Sequence, residues 1–196
     1  MFKQEKVGEF LLSGSASKIF TELNKLRNSG TELMNTFRKR WIWELLQNAT
    51  DCCDIGQTID IKINFNNSQL EFSHNGKGFT EDNLWSMITQ FSKKASNEDT
   101  TGKFGTGFIS TTLISPYIQV TSYREETSRP FSLRLDRSAV SIESLSDSIK
   151  KELEQVEKIT NENPLDEHIN RKKESTTFKY DLDSLQEEDK KKYANL

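Results

Sequence analysis

Glu44-Leu45-Leu46-Gln47-Asn48-Ala49-Thr50-Asp51 is the stretch that decides how this chain folds. Helical residues step about 100° around the axis, so positions i, i+4 and i+7 fall within an arc of roughly 60°. Glu44, Asn48 and Asp51 therefore share one helical face. Trp41, Leu45, Ala49 and Cys52 form an apolar face beside it. Acids on an amphipathic helix are usually solvated, and asparagine is tolerated at any exposed position. Yet an acid, an amide and a second acid in one row beside a buried stripe also suit a divalent cation and a polarised water. Asparagine is a poor helix former, which favours the chemical reading.

Two glycine clusters downstream decide between the readings. The first is Phe72-Ser73-His74-Asn75-Gly76-Lys77-Gly78-Phe79. It follows a two-strand pattern: Ile59, Ile61, Ile63 and Phe65 alternate with polar residues, Asn66-Asn67-Ser68 is turn chemistry, and Gln69 to Ser73 returns. Two glycines one residue apart at a strand end allow backbone to approach a ligand closely. The second cluster is Gly102-Lys103-Phe104-Gly105-Thr106-Gly107-Phe108, ahead of the apolar stretch Phe108 to Ile114. Glycines running into a helix start suit an anion. No Gly-Lys-Ser/Thr ends the cluster, so it is not a Walker loop, and no long parallel strand leads into it as a dinucleotide fingerprint requires.

Together the three segments resemble the GHKL ATPase superfamily, which groups DNA gyrase, the ninety-kilodalton heat-shock chaperone, sensor histidine kinases and MutL. Gly102 to Ser110, followed by Ile118-Gln119-Val120-Thr121-Ser122, looks like the chaperone branch. Arg40-Trp41-Ile42-Trp43-Glu44-Leu45-Leu46-Gln47-Asn48 and the Ser73-His74-Asn75-Gly76 variant look more like sacsin-type relatives. The resemblance runs from about Phe37 to Ser122 and extends to Thr176-Thr177-Phe178.

The resemblance implies roles position by position. Glu44 matches the residue that activates the attacking water. Asn48 matches the amide that binds magnesium. Asp51 matches a pocket residue near base and ribose. Gly76 and Gly78 match the glycines beside adenine. Lys103, Phe104, Gly105, Thr106, Gly107 and Phe108, with Gly102, match the lid around the phosphates. Thr176 matches the threonine supporting the adenine contact, with Phe178 on the same strand face. His74 stands where the family has an aspartate that accepts from the adenine amino group. A neutral imidazole accepts in one tautomer, and the Asn75 carbonyl is an alternative acceptor. With an ordinary pKa, His74 would make base binding depend on pH near ~6.5.

The implied fold is α+β, a two-layer α/β sandwich (the Bergerat fold) with helices on one face of a mixed, largely antiparallel sheet. The implied ligands are ATP and Mg²⁺, and the implied activity is slow hydrolysis used as a conformational switch in a larger chaperone-like or sacsin-like protein. A nucleotide-dependent homodimer and downstream domains are the expected partners. A histidine-kinase-type catalytic domain, a nucleotide-sensing module without turnover and an interaction domain that has lost its ligand are the alternatives.

The rest of the sequence agrees. A length of 196 residues fits one domain, or one and a half, and the net charge is -3. No Lys/Arg cluster suggests nucleic acid, no apolar run reaches the roughly 20 residues of a membrane span, and no signal peptide opens the chain, so a cytoplasmic location is expected. Cys52 and Cys53 are adjacent and without metal spacing, and read as reduced. Residues 1–12 read as an arm, 13–185 as the ATP-binding domain and 186–196 as a helical tail. Within the domain, helices are expected over Ser15 to Asn28, Thr31 to about Cys53, Glu81 to Phe91 and Ile149 to Ile159. Strands are expected over Tyr117 to Tyr123, Pro130 to Leu135 and Thr176 to Leu182. Ser92 to Thr101 suits a mobile lid and Asn161 to Glu174 a polar connector.

Overall fold

The computed structural model describes residues 2–29, 31–66, 68–90, 106–161 and 176–183. The expected lid, Gly102, Lys103, Phe104 and Gly105, nearly all of the polar connector and the tail lie outside them.

Five strands form one open sheet in the order β1-β2-β5-β3-β4. They are β1 (Ile61–Phe65), β2 (Gln69–His74), β3 (Tyr117–Tyr123), β4 (Pro130–Asp136) and β5 (Thr176–Asp181). All four pairings are antiparallel. The expected mixed character reduces to one isolated parallel bridge, Phe79 to Arg124. Alternation places one set of side chains in the core. Phe72 faces Phe178, Phe178 faces Val120, and Val120 faces Leu133 across four neighbouring strands. All four are buried, and full burial of each such side chain contributes ~1.5–3 kcal/mol. The other face carries Lys62, Glu71, Gln119, Ser132, Arg134 and Lys179, with a Lys179–Glu71 ion pair at 2.9 Å. One face apolar and one polar is the signature of a two-layer sandwich.

The helices cover the apolar face. They are α1 (Phe2–Arg27), α2 (Thr31–Asp51), α3 (Glu81–Thr89), the single turn α4 (Thr106–Ile109), which runs into a 3-10 turn (Ser110–Leu113), and α5 (Ile142–Thr160). Helix α1 packs on α5, α3 and α4, while α2 packs on α4 and its 3-10 extension. Trp41, Leu45 and Ala49 are buried as their helical spacing requires. Helix α5 is tied to the sheet by a buried pair: Arg137 Nη1 donates to Glu152 Oε1 at 2.6 Å and to Oε2 at 2.8 Å. The same guanidinium reaches the Ile88 carbonyl in α3.

Three boundaries differ from expectation. Helix α1 reaches back to Phe2, so residues 2–12 of the expected arm are helical backbone continuous with it. Helix α3 stops at Thr89 instead of Phe91, because Gln90 adopts a left-handed cap with φ 57°. Helix α5 begins seven residues before Ile149, at Ile142. Its Ser-rich first turn looks like a loop, yet Ser141 and Ser144 form a reciprocal capping box.

Candidate nucleotide site

Glu44 and Asn48 sit one turn apart on α2, between the buried stripe and solvent. The Glu44 side chain is 16% exposed and pairs with Arg40 Nη2 at 3.3 Å. Its carboxyl group lies directly against Gly107 of α4. A Cβ at Gly107 would collide with both carboxyl oxygens and the carboxyl carbon of Glu44. With glycine at 107 the carboxylate can rest where it does; a larger residue there would push it aside. Asn48 is 5% exposed, and its Nδ2 is buried without a hydrogen-bond partner among the described residues. A buried amide donor left unmade costs ~1–3 kcal/mol, so such an atom signals a missing ligand or water.

Asn48 opens onto a cavity of ≈ 130 Å³. Its other walls come from Cys52 at the end of α2, the turn Lys77 to Thr80, Asn83 of α3 and Glu125 just after β3. Gly78 is required here: a Cβ would run into the Tyr123 carbonyl and ring. The Phe79 N–H donates to that same carbonyl at 2.9 Å, and the Glu125 N–H donates to the Phe79 carbonyl at 3.0 Å. Gly76 is packed similarly, with its missing Cβ 2.9 Å from the Cys52 carbonyl and 3.0 Å from its Cβ. A second cavity of ≈ 470 Å³ shares Cys52 and is lined by the 53–59 loop, Asn75 and Gly76. Neither Cys52 nor Cys53 is in a disulfide.

The residues expected at the base are arranged differently. His74 is buried on β2 directly opposite Thr176 of β5. Thr176 Oγ1 shares a hydrogen bond of 2.7 Å with Ser122 Oγ. The register therefore brings His74 and Thr176 together. However, His74 Nδ1 already accepts from the Gly76 N–H at 3.2 Å. A neutral imidazole accepting at Nδ1 carries its proton on Nε2 and has no second acceptor. Asn75 is also engaged: its Oδ1 accepts from the Asp60 N–H at 2.8 Å and its Nδ2 donates to Asp60 Oδ2 at 3.2 Å. The His74 acceptor is thus used within the protein, while Asn75 Oδ1 keeps a second lone pair. Burial also lowers the His74 pKa from 6.5 to about 4, so the expected titration near 6.5 is displaced.

That displacement has a measurable sign. Between pH 6.5 and about 4 the unfolded chain binds a proton at His74 and the folded chain does not. Stability is therefore full above pH 6.5 and falls as pH drops toward 4, by of order 3 kcal/mol in total. Urea midpoints measured at pH 7.5 and 5 should fall in the parent, and less in a folded His74→Gln variant. An identical fall in both would assign the acid sensitivity to other groups.

The remaining expected residues divide between site and core. Gly107 belongs to the site. Phe108 is buried, with its ring 5.8 Å from that of Phe178, and is a core residue. Phe178 also meets Phe72 and Phe79. Thr106 begins α4. Asp51 ends α2, is exposed, and lines neither cavity. Two site residues were not expected. Arg40 was signalled by its i, i+4 spacing to Glu44. Glu125 had no signal, since it reads as a charged residue in an ordinary turn. Among the described residues, no group of three or more His, Cys, Asp or Glu gathers to hold a metal ion, and no helix is long and apolar enough to cross a membrane.

Residues 35–168 match the family described as histidine kinase-, DNA gyrase B- and HSP90-like ATPase. The match spans more than half of the chain, and the five-stranded α+β sandwich agrees with it; the chain belongs to this GHKL-type ATPase family. None of the curated proteins matches the chain.

Proposed function

We propose that this chain binds ATP with magnesium between α2 and the sheet, and hydrolyses it slowly as a conformational switch. The observation that carries this reading is the pairing of two features one helical turn apart. A carboxylate is seated against glycine backbone at Gly107, and a buried amide at Asn48 has a nitrogen with no partner among the described residues.

The chemistry follows from those side chains. Magnesium would be held by the Asn48 amide oxygen, since such ions take few protein ligands and complete their shell with phosphate oxygens and water; the unpartnered Asn48 nitrogen, a donor, would suit a phosphate or water oxygen beside it. When bound, the ion neutralises phosphate charge. Glu44 orients a water and accepts its proton. The Gly107 backbone holds the carboxylate from one side and Arg40 from the other. Because the Arg40 guanidinium pairs with Glu44, it is engaged with the base. A positive group that stabilises a transferring phosphoryl is worth on the order of 10³-fold or more, and the one arginine described beside Glu44 is taken up by it, which supports slow turnover.

The same reading includes a cytoplasmic setting, a domain over residues 13–185, a chaperone-like or sacsin-like whole protein, further domains downstream and nucleotide-dependent dimerisation. No nucleic-acid partner is part of it.

Single-turnover reactions with γ-labelled ATP test this reading against its rivals. Label should appear slowly as free phosphate and depend on magnesium. Label on the protein would indicate histidine-kinase-type transfer, and bound but uncleaved ATP would indicate a sensing module. A Gly107→Ala variant should retain its melting temperature and cut turnover by about 10²-fold, because the added Cβ displaces the carboxylate by an ångström or more. Parental turnover in that variant would show that the Glu44–Gly107 contact does not matter to hydrolysis.

A further inference from the structure

The sequence contains a single Asn-Gly pair, Asn75-Gly76, and hydrogen bonds converge on it from both sides. The Gly76 N–H donates to His74 Nδ1 at 3.2 Å. The Asp60 N–H donates to Asn75 Oδ1 at 2.8 Å, and Asn75 Nδ2 donates to Asp60 Oδ2 at 3.2 Å. The backbone adds a further link, since the Asn75 N–H donates to the Asp60 carbonyl at 3.2 Å. Asn75 is half-buried and, with Gly76, lines the cavity of ≈ 470 Å³, which has room for water.

Each of the three side-chain bonds falls on an atom that one reaction uses. An asparagine amide closes a five-membered imide ring when the backbone nitrogen of the next residue attacks its Cγ. Here that nitrogen belongs to Gly76, and glycine has no side chain to shield it. The attacking N–H needs a base, and His74 Nδ1 already holds it. This N–H lies in the peptide plane, whereas the electron pair that attacks stands perpendicular to it, so the base and the carbon do not compete for one direction. Burial lowers the His74 pKa to about 4, so the ring is neutral and Nδ1 keeps its lone pair at pH 7. Negative charge develops on Oδ1 during attack, and the Asp60 N–H is in place to stabilise it.

We propose that Asn75 is a self-modification site, at which the folded chain converts its own asparagine to aspartate or isoaspartate through a cyclic imide, with His74 as the base. The bond from Gly76 N to Asn75 Cγ forms, and the bond from Cγ to Nδ2 breaks. The proton that His74 takes from Gly76 passes through water to the departing nitrogen, which leaves as ammonia. A second water then adds to one imide carbonyl and reopens the ring. The new carboxylate stands where an N–H faced Asp60, so two like charges meet and the clasp between the start of β1 and the end of β2 is weakened. The reaction requires no nucleotide and no second protein.

The test is to incubate the whole chain at pH 7, folded and, in parallel, unfolded in urea, and to follow the peptide that holds Asn75 by mass spectrometry. The readouts are the mass gain of an amide turned to an acid and the appearance of isoaspartate. An Asn-Gly pair in an unfolded chain also closes the ring, but without a positioned base. Such a base commonly contributes ~10²–10⁴-fold, and the restraint that Asp60 places on the amide offsets part of it, so the folded chain should convert Asn75 about tenfold faster than the unfolded chain. Asn28, followed by Ser29 beyond the end of α1, has no such base and should show no acceleration on folding in the same samples. His74→Gln should remove the folded-state advantage and leave the unfolded rate unchanged. A folded parent that converts Asn75 no faster than the unfolded chain would overturn the proposal without recourse to any variant. A folded His74→Gln chain that converts Asn75 as fast as the parent would overturn it as well.

Discussion

Replacing Glu44 with alanine will leave Mg-ATP affinity within a few-fold of the parent and lower single-turnover hydrolysis by about 10²–10⁴-fold. A positioned base acts on the proton of the attacking water in the transition state, and that is the usual size of its contribution. The separation of binding from turnover follows from geometry. The Glu44 carboxyl group lies against Gly107 and Arg40, whereas the cavity beside α2 is lined from Asn48 onward and not by Glu44. Rapid-quench measurement of phosphate release, with binding measured separately, checks both halves. Turnover at the parental rate would make Glu44 a partly buried acid that pairs with Arg40 and nothing more.

Asn48→Ala will show the reverse pattern, losing magnesium-dependent binding. Even indirect partners of a metal site cost roughly 10–100-fold in affinity when removed, so a direct ligand should cost at least that. The part of nucleotide affinity that a chelator abolishes in the parent should be absent in the variant. The fold should survive, because the alanine removes a buried amide whose nitrogen has no partner among the described residues. Equal Mg-ATP affinity in parent and variant would show that the ion, where it binds, is held elsewhere.

What could be read in advance divides along physical lines. Helix α2 was legible because Trp41, Leu45 and Ala49 repeat at helical spacing and are all buried. The hairpins β1–β2 and β3–β4 were legible because period-2 alternation and short turns are local signals. The insertion of β5 between β2 and β3 was not, since pairing between Phe178 and Val120 joins residues far apart in the chain and leaves no local pattern. The start of α5 was hidden by serines that cap a helix as readily as they fill a loop.

The site divides similarly. The i, i+4 relation of Glu44 and Asn48 is a property of any helix, and the structure keeps it. The state of His74 is not local. Its ring accepts from Gly76 only because the turn at Gly76 and Gly78 folds back over Cys52 and under Tyr123. The engagement of Asn75 with Asp60 likewise depends on how β1 begins beside β2. Residue types announced acceptors at 74 and 75, and contacts with Gly76 and Asp60 decided how each is engaged. Glu125 became visible only once the bridge between Phe79 and Arg124 brought it to the wall of the cavity that Asn48 also lines.

The central claim is that the chain carries a magnesium-dependent ATP site between α2 and the sheet. Equilibrium dialysis of the parent chain against labelled ATP, with magnesium and then with a chelator, tests it most directly. The account predicts saturable retention of one ATP per chain with magnesium and a large loss of retention with chelator. No retention of ATP by a folded chain in the presence of magnesium would contradict it.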